Sequence, residues 1–143
     1  MSFLTSLDIS KNALSAQRLR MDIIAQNIAN AETTRTADGT PYVRKLVVFE
    51  EKLSFKSVLG QKQGKYSYDG VAVTEVVEDE TPLKSVYDPE HADADEDGYV
   101  LMPNVDRAEE NIDLMAATRS YDANVTVLNA VKAMAQSALS IGK

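Results

Sequence analysis

Two long stretches without a helix breaker stand at the ends of this chain. Residues 1–31 and 104–141 contain neither glycine nor proline, whereas five of the six glycines and all four prolines fall between residues 39 and 103. Each end therefore has the length and the uninterrupted backbone for one long helix, and the middle does not. In the first stretch Phe3, Leu7, Leu14, Met21, Ile24, Ile28 and Ala31 form a heptad seam, interrupted only by Ser10 and Gln17. In the last stretch Leu114, Ala117, Tyr121, Asn124, Leu128, Val131, Ala135 and Ala138 recur at spacings of three and four, and Val127, Met134 and Ile141 broaden that stripe. Asp106 and Glu109 stand at capping-box spacing ahead of it, where each side chain can satisfy a free backbone donor of the first turn. At about 1.5 Å per residue the two helices span roughly 40 and 50 Å.

Between them the period shortens to that of strands. The runs YVRKLVVFEE, GVAVTEVVE, LKSVYD and GYVLM are β-branched or aromatic and are parted by Gly60, Gly64, Gly70, Pro82 and Pro89. Residues 33–41, TTRTADGTP, end the first helix, and residues 60–70, GQKQGKYSYDG, read as a hairpin or surface loop. The expected class is α+β: an N-terminal helix over 1–32, a small β-rich insert with its linker over 33–104, and a C-terminal helix over 105–143. Helices of this length are expected to extend away from so small an insert. The two could pair as a self-contained antiparallel coiled coil. Alternatively, each could complete its packing against neighbouring chains, which the polar gaps at Ser10, Gln17, Asn124 and nearby Arg119 and the breadth of the C-terminal stripe favour.

Charge narrows the functional classes. The formal net charge is −7, but residues 75–113 alone hold 14 acids and two bases, leaving +5 for the remainder. Phosphate backbones need a clustered basic surface, and here the bases are scattered, Arg44-Lys45 being the longest run in the first half of the insert; nucleic acid is not an expected partner. There is no cysteine, so disulfides, thiolate metal sites and cysteine nucleophiles are excluded. The N-terminal sequence MSFLTSLDISKNALSAQRLR lacks the charged start and continuous apolar core of a secretory signal, and no run approaches the roughly 18 apolar residues of a spanning helix. A cytosolic protein, or one exported without a cleaved signal, is expected.

Three motifs bear on chemistry. In residues 93–104, DADEDGYVLMPN, Asp93, Asp95, Asp97, Gly98 and Val100 match the first, third, fifth, sixth and eighth positions of an EF-hand loop. The twelfth position is Asn104 and not a bidentate Glu, and Pro89 stands where a helix should lead in. An acidic surface turn between two strands is the expectation, with a calcium-binding module as the alternative. His91 is the only histidine, and the pairs Glu50-Glu51 and Glu109-Glu110 are adjacent, so that they diverge on a strand or a helix. No catalytic, cofactor or metal site is expected, and no enzymatic activity. Finally, in residues 25–35, AQNIANAETTR, Asn27 and Asn30 close an apolar helix, where their amides can bond freed carbonyls or another chain.

That last string, with GTPYVRK following, resembles the N-terminal signature of the axial proteins of the bacterial flagellum, and within them the proteins of the proximal rod. The blocks VYDPEHADADEDGYVLMPNVD, DLMAATRSYDANV and ALSIGK resemble the same family at the C-terminal side. Residues 52–70 lie outside the likeness, and Gln26, Glu32 and Ala92 depart from residues common in it, Asn at the first two places and Pro at the third. The resemblance implies a structural subunit of the basal-body rod. Such a subunit is exported unfolded through the flagellar type III apparatus and localised in the periplasmic rod. It assembles helically with copies of itself, other rod proteins and neighbouring basal-body components, transmits torque and contributes to the wall of the export channel. It also implies that the terminal helices form a coiled-coil layer. The residues expected at its interfaces are Leu7, Leu14, Met21, Ile24, Asn27, Ile28 and Asn30 in the first helix, and Leu114, Tyr121, Asn124, Leu128, Val131, Met134 and Ile141 in the second. A stand-alone coiled-coil adapter would share the same helices.

Overall fold

A computed structural model of the chain describes residues 3–53 and 68–141. The loop expected over residues 60–70 therefore lies mostly outside the described residues. The elements run α1 (Phe3–Ala29), β1 (Lys45–Leu53), β2 (Tyr68–Glu78), β3 (Lys84–Tyr87), β4 (Tyr99–Met102) and α2 (Arg107–Ile141). Among the described residues two helices and two small sheets make an α+β fold. One sheet pairs β1 with β2, the other β3 with β4.

Each boundary has a local cause. At the end of α1 the Asn30 amide nitrogens close on Gln26, backbone N–H to carbonyl at 3.0 Å and side-chain Nδ2 to the same carbonyl at 2.9 Å, while the Thr33 hydroxyl donates to Asn30 Oδ1 at 3.2 Å. The chain then turns back through Gly39 (φ 80°), with Thr36 N–H donating to the Thr40 carbonyl at 2.8 Å. Asp106 caps α2: its Oδ1 accepts from the N–H groups of Ala108 at 2.8 Å and Glu109 at 3.4 Å. The Glu109 carboxylate faces Arg44 at 3.7 Å, so the reciprocal half of the expected capping box is directed elsewhere.

β3 and β4 run antiparallel, with Lys84 opposite Met102, Ser85 opposite Leu101, Val86 opposite Val100 and Tyr87 opposite Tyr99. The acidic segment joins them as a surface turn. Asp95 organises it: its Oδ1 accepts from Asp97 N–H at 3.0 Å and Tyr99 N–H at 2.8 Å, and Gly98 takes φ 80°.

The chain gathers into two compact units. The first comprises residues 1–19, 48–75 and 117–143, the second residues 20–47 and 76–116. In the first, Ser10, Ala16, Ala117 and Val131 are buried. Here β2 lies against α1: a Cβ at Gly70 (φ 98°) would fall 3.3 Å from Ile9 Cα, and Asn12, Ala16 and Leu19 border a cleft with Val71, Ala72 and Val73. The first half of α1 thus carries strand residues along its side and does not simply project away from the insert. Its Asn12, Ala16 and Leu19 line, spaced four and three, supplies the surface that β2 covers. In the second unit Ile23, Ile24, Asn27, Tyr42, Val100, Pro103, Val105 and Glu110 are buried.

Candidate functional site

The second unit is built around a polar junction. Asn27 sits in the last turns of α1, only 1% exposed, and all four hydrogen-bonding positions of its amide are used. Nδ2 donates to the Lys45 carbonyl at 2.9 Å and to Glu110 Oε2 at 3.1 Å, while Oδ1 accepts from the Tyr42 hydroxyl at 2.9 Å and from Lys45 N–H at 3.0 Å. One side chain thereby ties α1 to the start of β1 and to α2.

Glu110, also 1% exposed, is the second hub. Its Oε1 accepts from Arg44 Nε at 2.6 Å. Arg44 is itself largely buried, and its guanidinium also stands 3.5 Å from Asp79 Oδ2, 3.7 Å from Glu109 Oε1 and 3.8 Å from Asp113 Oδ2. A charge inside a protein requires a partner with good geometry, and the guanidinium and Asn27 amide supply it on both carboxylate oxygens. Asn104 completes the frame: Oδ1 accepts from Arg44 N–H at 2.8 Å, and Nδ2 reaches Thr81 Oγ1 at 2.9 Å. On the helices, Arg20 meets Asp113 at 3.4 Å while Asn27 meets Glu110, so this part of α1 and the start of α2 run in opposite directions.

The electrostatics are those of a structural joint. Burial pushes the Tyr42 hydroxyl above its ordinary value, with Glu110 and Glu78 adding to it, which keeps the proton that Tyr42 donates to Asn27. The N–H of Thr81 holds Asp79 below the usual carboxylate range, and the N–H groups of Ala108 and Glu109 do so for Asp106. Among the described residues no three carboxylate or imidazole side chains converge as a metal ligand set would. In the acidic turn Asp93 is engaged by the Thr34 hydroxyl at 2.8 Å and by Arg35 at 3.6 Å. Asn104, at the position where a calcium loop would need its bidentate ligand, faces Arg44 and Thr81 as described above.

The residues expected at interfaces divide into three groups. Ile24, Asn27 and Val131 are buried within the chain, whereas Leu7, Leu14, Met21, Ile28, Asn30, Leu114, Tyr121, Asn124 and Leu128 are half-buried. Met134 is 63% exposed, and the Ile141 side chain lies outside the described residues. In α1 the more buried seam positions are Ser10 and Ile24, at the line interrupted by polar residues. With Ala16, Ile23 and Asn27 they define a buried face turned roughly a quarter turn from the line of Leu7, Leu14, Met21 and Ile28. In α2 the buried Ala117 and Val131 fall on the expected stripe and the buried Glu110 lies ahead of it, but Val127, Met134 and Leu139 remain exposed.

Arg44, Tyr42, Asp79, Asn104 and Glu110 were not singled out by their sequence pattern as junction residues. For Glu110 a signal exists: it extends the three-and-four spacing of the second seam backwards from Ala117 through Leu114, so a charge stands on an apolar line.

The charged groups of this junction join the two helices to a small β segment. Residues 7–35 match the family described as flagella basal body rod protein, and residues 96–141 match the C-terminal part of the flagellar basal body rod FlgEFG proteins. The flagellar basal-body rod protein FlgC of Bacillus subtilis is 46% identical over 96% of this chain and 97% of its own length. That of Borreliella burgdorferi is 40% identical over 99% of this chain and 98% of its own, and that of Salmonella typhimurium 43% identical over the whole of both. This chain belongs to the FlgC family of flagellar basal-body rod proteins.

Proposed function

We propose that the chain is a non-enzymatic structural subunit of the flagellar basal-body rod that assembles helically through its terminal helices. Residues 1–32 and 105–143 form the coiled-coil layer of that assembly, and 33–104 the β-rich insert with its linker. In this role it contacts copies of itself, other rod proteins and neighbouring basal-body components, transmits torque, and contributes to the wall of the channel through which the type III apparatus exports it. The observation that carries this reading is the half-buried apolar line Leu7, Leu14 and Ile28 on α1, together with the exposed Val127, Met134 and Leu139 on α2. Long helices that keep apolar lines open gain stability by covering them with another chain.

The test places a carboxylate in the seam. With Ile28→Asp, burying an unpaired charge at each subunit contact costs on the order of several kcal/mol. Export needs only the unfolded chain, so the variant is made and exported but is absent from basal bodies, in cells that do not swim. Ile28→Val removes about one methylene, roughly 1 kcal/mol, and swims almost normally. Normal rods built with Ile28→Asp would show that the line faces solvent and would refute the assembly seam.

A further inference from the structure

Every glycine of positive φ among the described residues follows an aspartate: Asp38-Gly39, Asp69-Gly70 and Asp97-Gly98. That dipeptide has a reaction of its own. The amide nitrogen of the glycine attacks Cγ of the aspartate, the carboxyl group in its acid form leaves as water, and a five-membered succinimide ring closes. Water then opens the ring at either carbonyl, giving back aspartate or, with the main chain now running through Cγ, isoaspartate. Glycine favours the ring because it has no Cβ to obstruct it. The nitrogen must also come within reacting distance of Cγ, so the peptide between the two residues has to turn out of its folded arrangement. What holds each glycine therefore selects where the reaction occurs.

Gly70 and Gly98 are half-buried and held by their neighbours. A Cβ at Gly70 would fall 3.3 Å from Ile9 Cα, and one at Gly98 3.0 Å from Tyr87 Cε2 and 3.2 Å from Pro89 Cβ, so α1 closes over the first and an aromatic ring and a proline over the second. Gly98 is also bonded on both sides, its N–H donating to the Asp95 carbonyl at 3.0 Å and its carbonyl accepting from Asp88 N–H at 3.0 Å. Gly39 is exposed, a Cβ there meets nothing within 4 Å, and it borders an open cleft with Thr34, Arg35, Pro41 and Tyr99. Its N–H donates to the Thr36 carbonyl at 3.0 Å, and the bonds that close this turn run from the Thr36 N–H and hydroxyl to the Thr40 carbonyl, at 2.8 and 2.9 Å. An exposed turn closed by local bonds opens without unfolding the rest of the chain. We propose that Asp38 is a site of spontaneous isoaspartate formation, selected over Asp69 and Asp97 by the open surroundings of Gly39. The product has one more methylene in the main chain between α1 and β1 and a free α-carboxylate. That carboxylate is the group that an isoaspartyl methyltransferase esterifies with the methyl group of S-adenosylmethionine, and a repair enzyme of that class is the partner the site fits.

The full chain is incubated at neutral pH in water enriched in heavy oxygen, once folded and once in guanidinium chloride, until the denatured sample has converted at all three aspartates. Peptides are mapped by mass spectrometry, heavy oxygen marking each passage through the ring, and the methyltransferase with labelled S-adenosylmethionine counts isoaspartate independently. Each rate in the folded chain is divided by that of the same residue in the denatured chain. The ratio for Asp38 is expected to lie near unity and to exceed those of Asp69 and Asp97 by roughly tenfold. Asp38→Glu, whose longer side chain would need a six-membered ring, is expected to abolish the label at this position. A ratio at Asp69 or Asp97 equal to that at Asp38, or an Asp38 that converts only when the chain is denatured, would overturn the proposal.

Discussion

Substitutions at Glu110 show what the junction does. Glu110→Ala leaves Arg44 and the Asn27 amide without their carboxylate, and removing one partner of a buried pair costs about 3–5 kcal/mol. Glu110→Gln keeps one acceptor oxygen, turns its NH2 against the other donor and loses the charge, but it still fills the site, so it is expected to cost less than the truncation; urea unfolding of the two variants orders them. A reversed order would mean that the opposed N–H groups of the amide cost more than the space that alanine leaves. Acid stability follows from Asp79 and Asp106. Backbone N–H groups lower both carboxyls in the folded chain, so the stability they supply is complete above the ordinary aspartate value near 3.9 and is lost as pH falls through the lower folded value. Thermal unfolding is expected to be flat with respect to these groups from neutrality to about pH 5 and to weaken below about pH 4. Asp106→Asn, which still caps the helix, is expected to make that acid limb shallower.

At the scale of elements, turns and close approaches carry the fold. Gly70 and Gly39 both take positive φ, but a Cβ at Gly70 meets the Ile9 backbone at 3.3 Å whereas one at Gly39 meets nothing within 4 Å. Gly39→Ala therefore brings backbone strain alone, about 1 kcal/mol, and Gly70→Ala adds the displacement of β2 from α1, for a total of about 2–3 kcal/mol. Comparing their urea midpoints isolates the helix–strand contact; equal losses would show that β2 yields freely. The strands, the long helices and the Asp106 cap were legible in the sequence, because breakers, alternation and capping act within a few residues. The contact of β2 with α1 was not. Nothing in the spacing of Asn12, Ala16 and Leu19, one of them polar, marks that line as strand-covered.

For the whole molecule, stability is expected to be uneven. Residues 23–29, 42–46 and 104–114 belong to the hydrogen-bonded junction, whereas residues 125–140 leave Val127, Met134 and Leu139 exposed. In a verified monomer, amide exchange should be slow in the first three segments and fast over residues 125–140. Uniform slow exchange to residue 140 would favour a self-contained helix pair and count against completion by neighbours. By itself the sequence determined the order and kind of the elements, the acidic turn and the apolar lines of both helices, since these follow from periodicity and backbone preference along a local stretch. Only the tertiary structure decided which side of α1 is buried and which partners Glu110 meets. Arg44 lies 66 residues from Glu110 and Asn27 lies 83 from it, and their contact depends on the rotation at which one helix docks beside the other. A helical repeat marks where the apolar lines run along a helix but leaves that rotation open, and here the buried polar groups, each requiring a partner, select it.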